Sequence, residues 1–534
     1  MISPALLRCS NIPPPTPPLT PRITRSIVSL PGDTSQEDES TSSSSILSKA
    51  AESAAVMFAS VAVIALAGFA YQQYYNAHAL AKMERAFYPS LASCDPPDPW
   101  VERSDQALLD NIVSGQTAGR YYLLIGEKGT GKTSMLREAV RRTNGARCAF
   151  LDAHPDPEIV RLRLGHALDF AFYEDYLGAM FQLRGPRDTT ALLDIERAFN
   201  KLEIVARRVN DHDKRPLVLI INNIHMVRDD ESGQHLIELL QQKAEALAGM
   251  LTVIFNSDDY WVYERLKKLS TKLEVITVRD MSRTQAVQTL CGTRKKLTGQ
   301  VLPQQDASDI YSLIGGRPQH LAQIAAAQDM LKACHELIDR ERTWYLNQCG
   351  LLGQDMDDDV MESGKFSTSA MLLMRALVQM DSDTGSPDHV LPQVPLWTAR
   401  RIMTRPDYIQ RYDALNIFTI DKSSFVKADS VPMMQAFREI AAMPKFDELL
   451  EETCDRVSAI ESLGRTREIV LKDLVQGGHY HWRDGKITLS AQQQEDSDEN
   501  DDDSDFSKLN LDESSKKWWW HRRSQAYLGK QASK

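Results

Sequence analysis

The chain has 534 residues, of which 42% are hydrophobic and 25% charged, and a formal net charge of −11. This length exceeds what one hydrophobic core usually serves, so we expect two or three folded units with flanking tails. The acidic balance argues against a general coat for nucleic acid or anionic lipid. Seven cysteines are scattered without a CxxC pair, which argues against a disulfide framework or a zinc site.

Residues 1–48 are rich in proline, serine and threonine and have no hydrophobic period, which predicts disorder. The first acid is Asp33, whereas Arg8, Arg22 and Arg25 precede it. An acid-poor, arginine-bearing start is typical of a mitochondrial transit peptide, although the prolines restrict any amphipathic helix to its beginning. A transit peptide and a plain disordered tail both stay open.

An uncharged run, "AAVMFASVAVIALAGFAY" at residues 54–71, follows this segment. As a helix it rises about 27 Å, close to the roughly 30 Å hydrocarbon core of a bilayer. Aromatic side chains follow where they would meet a membrane interface, at Tyr71, Tyr74 and Tyr75. We predict a single transmembrane helix over residues 54–75, with a buried helix of a soluble protein as the alternative.

The cations near this segment are Lys49 before it and Lys82 and Arg85 after it. They weakly place the large C-terminal part on the positive side, which is the cytosol or the mitochondrial matrix. Together with the transit-peptide signature, this balance predicts a single-pass protein of the mitochondrial inner membrane, facing the matrix. Residues 76–98, broken by prolines, are predicted to be a linker.

An alternation of short apolar runs and helical stretches occupies residues 99–280. Strands are predicted at residues 121–125, 148–151, 217–221, 251–255 and, more weakly, 273–278. Helical stretches such as residues 190–209 separate them. This order is typical of a mostly parallel sheet that helices cover on both faces.

The most specific motif is "GEKGTGKT" at residues 126–133, between a predicted strand and a predicted helix. GxxxxGK[ST] in that setting predicts a phosphate-binding loop, because its glycines let successive N–H groups point inward. Lys132 supplies positive charge for the β- and γ-phosphates, and the Thr133 hydroxyl is the expected Mg²⁺ ligand. The predicted nucleotide-binding residues are Gly126, Glu127, Lys128, Gly129, Thr130, Gly131, Lys132, Thr133 and Ser134.

The strand at 217–221 ends in Asn222 and Asn223, where many nucleotide-hydrolysing proteins have two carboxylates. Asparagine keeps an acceptor oxygen but lacks the charge that attracts Mg²⁺. An amide also cannot take a proton, which removes a general-base factor of about 10²–10⁴. The sequence therefore predicts nucleotide binding with weak or absent hydrolysis.

Other polar residues follow the neighbouring strands. Asn256 ends the fourth strand and is placed to touch a γ-phosphate or its water. Acids that could reach the metal instead are Asp152, Asp229, Asp230, Glu231, Asp258 and Asp259. We expect these acids to be solvated loop residues, since most surface carboxylates are.

These motifs together resemble a known family. "GEKGTGKT", "NNIH", "VIFNSDDYW" and "LIGGRPQHL" resemble the Walker A, Walker B, sensor 1 and sensor 2 elements of AAA+ ATPases. The order and the GGRP element resemble the branch that contains replication initiators and STAND-type signalling ATPases. "RGPRDTTALLDIERAFNKLE", "KRPLVLIINNIH", "FNSDDYWVYERLK" and "MDDDVM" resemble fungal membrane-anchored AAA proteins with a C-terminal winged helix.

The resemblance covers about residues 99–450. It implies ATP as the ligand and a helical lid over residues 281–345 that carries Arg317 towards the γ-phosphate. Asn222, Asn223, Asn256 and Arg317 are then the residues expected around the reacting phosphate. AAA+ modules often complete their sites from a neighbouring subunit, which leaves a homo-oligomer open. The sequence departs from the family at the Walker B acids, which puts hydrolysis in question.

Residues 362–480 predict a winged helix with a helical extension. Helical spacing at residues 367–380, 395–403 and 406–418 is followed by a hairpin pattern around residues 421–424. The third helix carries Arg405 and Arg411 beside Asp407 and Asp413. A DNA reader normally concentrates cations, so contact with a protein partner is favoured over nucleic acid.

The tail at residues 485–534 carries the acidic run "EDSDENDDDSD" and then "KKWWWHRR". Such acidic runs repel themselves, which predicts disorder. Tryptophans between cation pairs can seat at a lipid headgroup layer or stack on bases, and membrane or partner contact is slightly favoured.

The expected fold class is α/β, a P-loop AAA+ parallel sheet with a helical lid, then an α+β winged helix, behind one transmembrane helix. The expected function is a nucleotide-gated switch in which ATP bridges core and lid and the winged helix reports that state to a protein. An active ATPase that remodels proteins at the inner membrane and an organellar DNA-binding initiator-like ATPase are the alternatives.

Overall fold

The computed structural model describes residues 42–89, 100–170, 172, 190–384, 391–475, 478–483 and 486–491. The expected transit peptide and the acidic, tryptophan-bearing part of the tail lie outside the described residues.

The first helix, α1 (Ser42–Arg85), contains the apolar run. It is the one helix within the described ranges that is long and apolar enough to cross a membrane, with a mean hydropathy of 2.2 over an 18-residue window. Its apolar side chains are largely exposed, among them Phe58 and Leu66. The helix begins at Ser42, inside the segment expected to be disordered.

The C-terminal end of α1 corrects the first part of the linker expected at residues 76–98, of which residues 90–98 lie outside the described residues. Leu80, Met83 and Phe87 are buried in the core of the following domain. The Phe87 carbonyl accepts a hydrogen bond of 2.8 Å from the backbone N–H of Arg147. Leu80 and Met83 lie three residues apart on one face of α1, and Phe87 follows in the turn after it, so this part of the chain packs against the domain.

The nucleotide-domain sheet has five parallel strands. They are β1 (Tyr121–Ile125), β2 (Cys148–Asp152), β3 (Leu217–Asn222), β4 (Leu251–Ser257) and β5 (Leu273–Thr277). Their order across the sheet is β2-β3-β4-β1-β5. β1, β3 and β4 are buried along their whole length, as expected for apolar strands with both faces covered. The predicted strands and the parallel sheet are confirmed.

Six helices cover this sheet within the described residues: α2 (Gln106–Val113), α3 (Lys132–Arg142), α4 (Pro157–Ala167), α5 (Ala191–Asp213), α6 (Glu231–Ala246) and α7 (Trp261–Lys267). α2 and α3 pack with Tyr122 and Leu124 on one face. Tyr121 and Leu123 point to the other face, towards the remaining helices and the end of α1.

The lid consists of α8 (Arg283–Thr298), α9 (Gln304–Ile314), α10 (Pro318–Ala326) and α11 (Met330–Cys349), with a core of its own. The turn between α9 and α10 needs glycine at Gly316, because a Cβ there would lie 1.9 Å from the carbonyl oxygen of Met281. This close approach places Arg317 at the start of α10, beside the sheet.

The winged helix follows directly and confirms the predicted fold. It comprises α12 (Met361–Thr384), β6 (Val394–Pro395), α13 (Leu396–Met403), α14 (Ile409–Ala414), β7 (Phe418–Ile420), β8 (Phe425–Ala428) and α15 (Val431–Ala441). The strands form an antiparallel sheet of order β6-β8-β7, and the β7–β8 hairpin is called the wing below. The predicted third helix is shorter than expected, because Pro406 opens a 3₁₀ turn before α14.

A long helix and a hairpin end the described part of the chain. α16 (Phe446–Val475) is followed by β9 (Gly478–Arg483) and β10 (Lys486–Ala491), which pair antiparallel. The tail expected to be disordered from residue 485 therefore begins with a paired strand.

Candidate nucleotide-binding site

The loop between β1 and α3 has the curled backbone that a phosphate requires. Gly129 and Gly131 have φ values of 84° and 92°, in the left-handed region that glycine adopts without strain. A Cβ at Gly126 would lie 2.3 Å from the carbonyl oxygen of Val278. α3 begins at Lys132, so the loop ends at the positive end of a helix, which favours anions.

The lysine of the loop is held by protein oxygens. Lys132 Nζ lies 2.8 Å from the carbonyl oxygens of Gly126 and Glu127. It also forms an ion pair of 2.8 Å with Asp258 Oδ1, and the lysine side chain is only 3% exposed. A phosphate that binds here therefore competes with the Asp258 carboxylate for the ammonium.

A network of buried amides lies at the carboxyl edge of the sheet. The Thr133 hydroxyl donates to Asn222 Oδ1 at 3.1 Å, and Asn256 Nδ2 donates to the same oxygen at 2.6 Å. Asn222 Nδ2 in turn donates to Asp152 Oδ1 at 2.6 Å. Asn256 Oδ1 is buried and has no hydrogen-bond partner among the described residues. The structure thus brings together Thr133, Asn222 and Asn256, as the sequence predicts.

These side chains fit the surroundings of a nucleotide-bound Mg²⁺. Hydroxyl, amide and carboxylate oxygens are the ligands that this ion prefers. The Asn256 oxygen without a partner is an acceptor that such a site can use. Within the described residues there is no group of three or more His, Cys, Asp or Glu that could hold a metal.

Asn223 does not join this network in the part of the chain that the structure describes. Its φ of 55° and ψ of 41° end the strand, and it begins the 3₁₀ turn Ile224–Met226. The two asparagines are therefore not equivalent, since Asn222 faces the phosphate loop while Asn223 starts the next segment.

Two of the acids that we expected to be solvated contact the site, and one of them, Asp152, is also exposed as expected. Asp152 accepts from Asn222, and Asp258 pairs with Lys132. Asp229 pairs with Arg265, and Asp230 caps α6 by accepting from the Gly233 N–H. Which of these acids contacts the site depends on residues far away in the chain, and local sequence patterns do not indicate such contacts.

Residues that sequence reasoning missed also line the site. His225 Nδ1 accepts from the backbone N–H of Asp258 at 3.1 Å. Arg103 donates to the carbonyl oxygen of Thr130 at 2.6 Å. The backbone N–H of Gln319 donates to the carbonyl oxygen of Gly129 at 3.3 Å, so the start of α10 touches the loop.

Arg317 is paired with carboxylates. Its buried guanidinium bonds Asp429 of the winged helix and lies 3.3 Å from Asp280 Oδ1. Burial opposes the charge, but Asp280, Asp429 and Glu127 outweigh it and raise the pKa of Arg317. The sequence predicts this arginine near the γ-phosphate, and the structure places it between the sheet, the phosphate loop and the winged helix.

The wing lies directly on the phosphate loop. Lys427 Nζ of β8 forms an ion pair of 2.7 Å with Glu127 Oε1. Burial works to raise the pKa of Glu127, but Lys427 and then Arg317 outweigh it and hold that pKa below its ordinary value. The Tyr260 hydroxyl after β4 lies 2.8 Å from Ser424 Oγ at the tip of the wing.

A buried acid lies at the same interface. Asp413 Oδ2 accepts from the backbone N–H of Tyr260 at 3.1 Å. Burial and then the charge of Asp259 raise the pKa of Asp413 well above its ordinary value. Burial also raises the pKa of Asp259. Two neighbouring carboxyls at the domain interface therefore have raised pKa values.

The arginines that could have marked a DNA-reading helix are engaged within the protein. Arg405 pairs with Glu461 of α16. The Arg411 guanidinium carbon lies 4.4 Å from the centre of the Phe366 ring. Neither forms part of a concentrated basic stripe, since Asp407 and Asp413 lie beside them.

Two family models match the chain. Residues 99–254 match the AAA ATPase domain, and residues 347–461 match the C-terminal winged helix domain of fungal AAA proteins. The chain therefore contains a P-loop AAA+ domain and a C-terminal winged helix domain that is similar to that of fungal AAA proteins. No curated protein matches the chain.

Solved structures share the arrangement only distantly. A Walker-type ATPase of Pyrococcus abyssi is 12% identical and covers 65% of this chain and 100% of its own, with a TM-score of 0.42. Cdc6p from Pyrobaculum aerophilum is 14% identical, covers 69% and 98%, and has a TM-score of 0.30. Orc1 of Aeropyrum pernix in complex with DNA is 14% identical, covers 64% and 94%, and has a TM-score of 0.29. Nothing about function follows from likeness at this level.

Proposed function

We propose that the protein binds ATP with Mg²⁺ and acts as a nucleotide-gated switch, in which the bound nucleotide loosens the contacts between the winged helix and the phosphate loop. The observation that carries this proposal is the pairing of nucleotide-site residues with the winged helix, through Glu127–Lys427 and Arg317–Asp429. Binding of a charged ligand at the phosphate loop must affect these two ion pairs, because they lie next to the loop.

The first step is competition for Lys132. A triphosphate carries more negative charge than the single carboxylate of Asp258, which now holds the ammonium at 2.8 Å. Attraction between opposite charges at short range is worth several kcal/mol in a partly buried site. The phosphates therefore displace Asp258, while the inward N–H groups of the loop and the start of α3 bind the rest of the charge.

The second step links the nucleotide to the winged helix. A γ-phosphate that attracts Arg317 weakens its bond to Asp429, which is buried in the winged helix. Breaking a buried ion pair costs about 3–5 kcal/mol, because one charge stays uncompensated. By thermodynamic reciprocity, a partner that stabilises either position of the winged helix changes ATP affinity by the same factor.

Hydrolysis is proposed to be weak or absent. Asn222 and Asn223 cannot accept a proton from water, and Asn222 is already bonded through both ends of its amide. Mg²⁺, when bound through the phosphates and Thr133, supplies positive charge at the phosphate oxygens. These residues therefore support binding of ATP, but they do not activate a water molecule to attack the γ-phosphate.

The apolar segment of α1 supports a single-pass membrane anchor. Its exposed apolar side chains and its length suit a bilayer. With the arginine-bearing start, this favours the mitochondrial inner membrane with the nucleotide domain on the matrix side. A protein is the proposed partner of the winged helix, and the internal engagement of Arg405 and Arg411 disfavours nucleic acid.

The binding test is calorimetric titration of the full chain in detergent micelles with ATP and Mg²⁺, beside a Lys132→Ala control. We expect binding to the native chain and its loss in the variant. If the native chain takes up no nucleotide, the proposal is refuted.

The turnover test uses the same two proteins. Phosphate release by the native chain should not exceed that of Lys132→Ala. A rate clearly above this control would instead favour an active ATPase that remodels proteins at the membrane.

A further inference from the structure

β3 ends in an amide where a Walker B carboxylate is expected, but the neighbouring strand β2 ends in a carboxylate. Asp152, the last residue of β2, pairs in register with Asn222, the last residue of β3. We propose that Asp152 replaces the absent Walker B carboxylate, as a positioning residue that orients Asn222 and supplies charge to the outer shell of Mg²⁺. This inference rests on the proposed binding of ATP with Mg²⁺.

The carboxylate determines which way two buried amides face. An ionised carboxylate can only accept hydrogen bonds, so Asn222 must present its Nδ2 to Asp152, at 2.6 Å. The Asn222 oxygen then faces Thr133 and Asn256, and Asn256 must present its own Nδ2 to that oxygen. One charge on β2 therefore turns the acceptor oxygen of Asn222 towards the residue expected to bind the metal.

The orientation leaves a second acceptor available. Asn256 is 1% exposed, and its Oδ1 has no hydrogen-bond partner among the described residues. Burying an acceptor without a partner is unfavourable, so such an atom points to a ligand. A hydrated Mg²⁺ supplies the donors that Asn256 Oδ1 lacks, through its bound water molecules.

The charge of Asp152 is not neutralised by an ion pair within the described residues. The nearby Arg163 donates to the backbone carbonyl oxygens of Asp152 and Ala153, at 3.0 and 2.9 Å. Neighbouring strands are about 4.8 Å apart, and Coulomb attraction falls only with the inverse of distance. The Asp152 side chain is exposed, so solvent screens its charge, and a carboxylate one strand further out keeps only part of the attraction that a Walker B acid would exert.

A swap of the acid and the amide tests this assignment. ATP affinity of the full chain is measured with Mg²⁺ and with EDTA, for the native chain, Asp152→Asn and the double variant Asp152→Asn/Asn222→Asp. We expect Asp152→Asn to reduce the Mg²⁺-dependent gain in affinity by about 10- to 100-fold, as for other outer-shell partners of metals. Affinity in EDTA should not change, and the double variant should recover the gain.

The outcomes separate this inference from the function on which it rests. If the native chain binds ATP better with Mg²⁺ and Asp152→Asn keeps the whole gain, Asp152 has no such role and the proposed function stands. If the native chain binds ATP no better than Lys132→Ala, the proposed function fails and this inference fails with it. Thermal unfolding checks folding, and Asp152→Ser replaces Asp152→Asn should that variant not fold.

Discussion

At the scale of single residues, the two asparagines show how far a motif can be interpreted without coordinates. The sequence presents Asn222 and Asn223 as one departure from an acid pair. In the structure only Asn222 belongs to the hydrogen-bond network at the phosphate loop, while Asn223 adopts a left-handed conformation and starts a turn. The loss of the acid pair therefore has two separate consequences, one for the metal and one for the attacking water.

The curl of the phosphate loop yields the first prediction at this scale. Gly126→Ala should reduce ATP affinity by at least about tenfold and lower the unfolding temperature, because its Cβ would lie 2.3 Å from the Val278 carbonyl oxygen. Calorimetry and thermal unfolding measure the two effects. Gly249→Ala is the matched control, since a Cβ there meets nothing within 4 Å. Equal behaviour of the two variants would contradict the close approach at Gly126.

The raised pKa of Asp413 predicts that the free energy of unfolding depends on pH. A carboxyl whose pKa is raised by burial stabilises the folded interface at low pH, and this contribution is lost as pH rises through the raised pKa. As pH rises above 3.8, the ordinary pKa of an aspartate, the native chain should lose unfolding free energy relative to Asp413→Asn, whose amide stays neutral. Urea unfolding across that range measures the difference.

The control for this measurement is Asp407→Asn, which changes an exposed acid on the same segment. Its unfolding free energy should follow that of the native chain. A constant difference between the native chain and Asp413→Asn at all pH values would show that Asp413 does not titrate with the interface.

At the scale of elements, the wing connects the winged helix to the phosphate loop through an ion pair. Lys427→Met removes the ion-pair partner of the buried Glu127 and leaves it only the more distant charge of Arg317, and breaking such a buried pair costs up to about 3–5 kcal/mol. We expect faster hydrogen exchange in β8 and an altered ATP affinity, since Glu127 belongs to the phosphate loop. Lys422→Met, at an exposed position in the same hairpin, should leave both unchanged. If hydrogen exchange in β8 of Lys427→Met is as slow as in the native chain, Lys427 does not hold the wing on the phosphate loop.

The elements also show what the sequence could and could not predict. The phosphate loop, the strands and the winged helix follow local patterns of glycine, β-branched residues and helical spacing, and all are found. The pairs Asp152–Asn222, Lys132–Asp258 and Glu127–Lys427 join residues far apart in the chain. Such contacts depend on strand order and domain packing, which local patterns do not encode.

At the scale of the whole molecule, the hydrophobic core continues from the nucleotide domain into the winged helix. Tyr345 of α11 and Phe437 of α15 are fully buried, with ring centres 4.9 Å apart. Neither of these two residues belongs to the charged pairs at the phosphate loop. A change at the nucleotide is therefore expected to move the wing and leave most of the winged helix seated.

The buried end of α1 predicts where a stable fragment must begin. A fragment starting at residue 76 should be more stable than one starting at residue 99, because Leu80, Met83 and Phe87 each contribute about 1.5–3 kcal/mol by burial. Within the longer fragment, Met83→Ala should cost about 2–5 kcal/mol. Urea unfolding measures both, with Arg85→Ala, at an exposed position, as the control. Equal stability of the two fragments would refute this boundary.

The unbroken course of α1 has a mechanical consequence. From Asn76, which bonds Lys201, to the buried Met83 the axis advances only about 10 Å. If the apolar stretch of α1 lies in a bilayer, the continuous helix would hold the nucleotide domain close to the lipid surface and restrict its rotation relative to the membrane. A tilt of α1 in the bilayer would then be transmitted directly to the nucleotide domain.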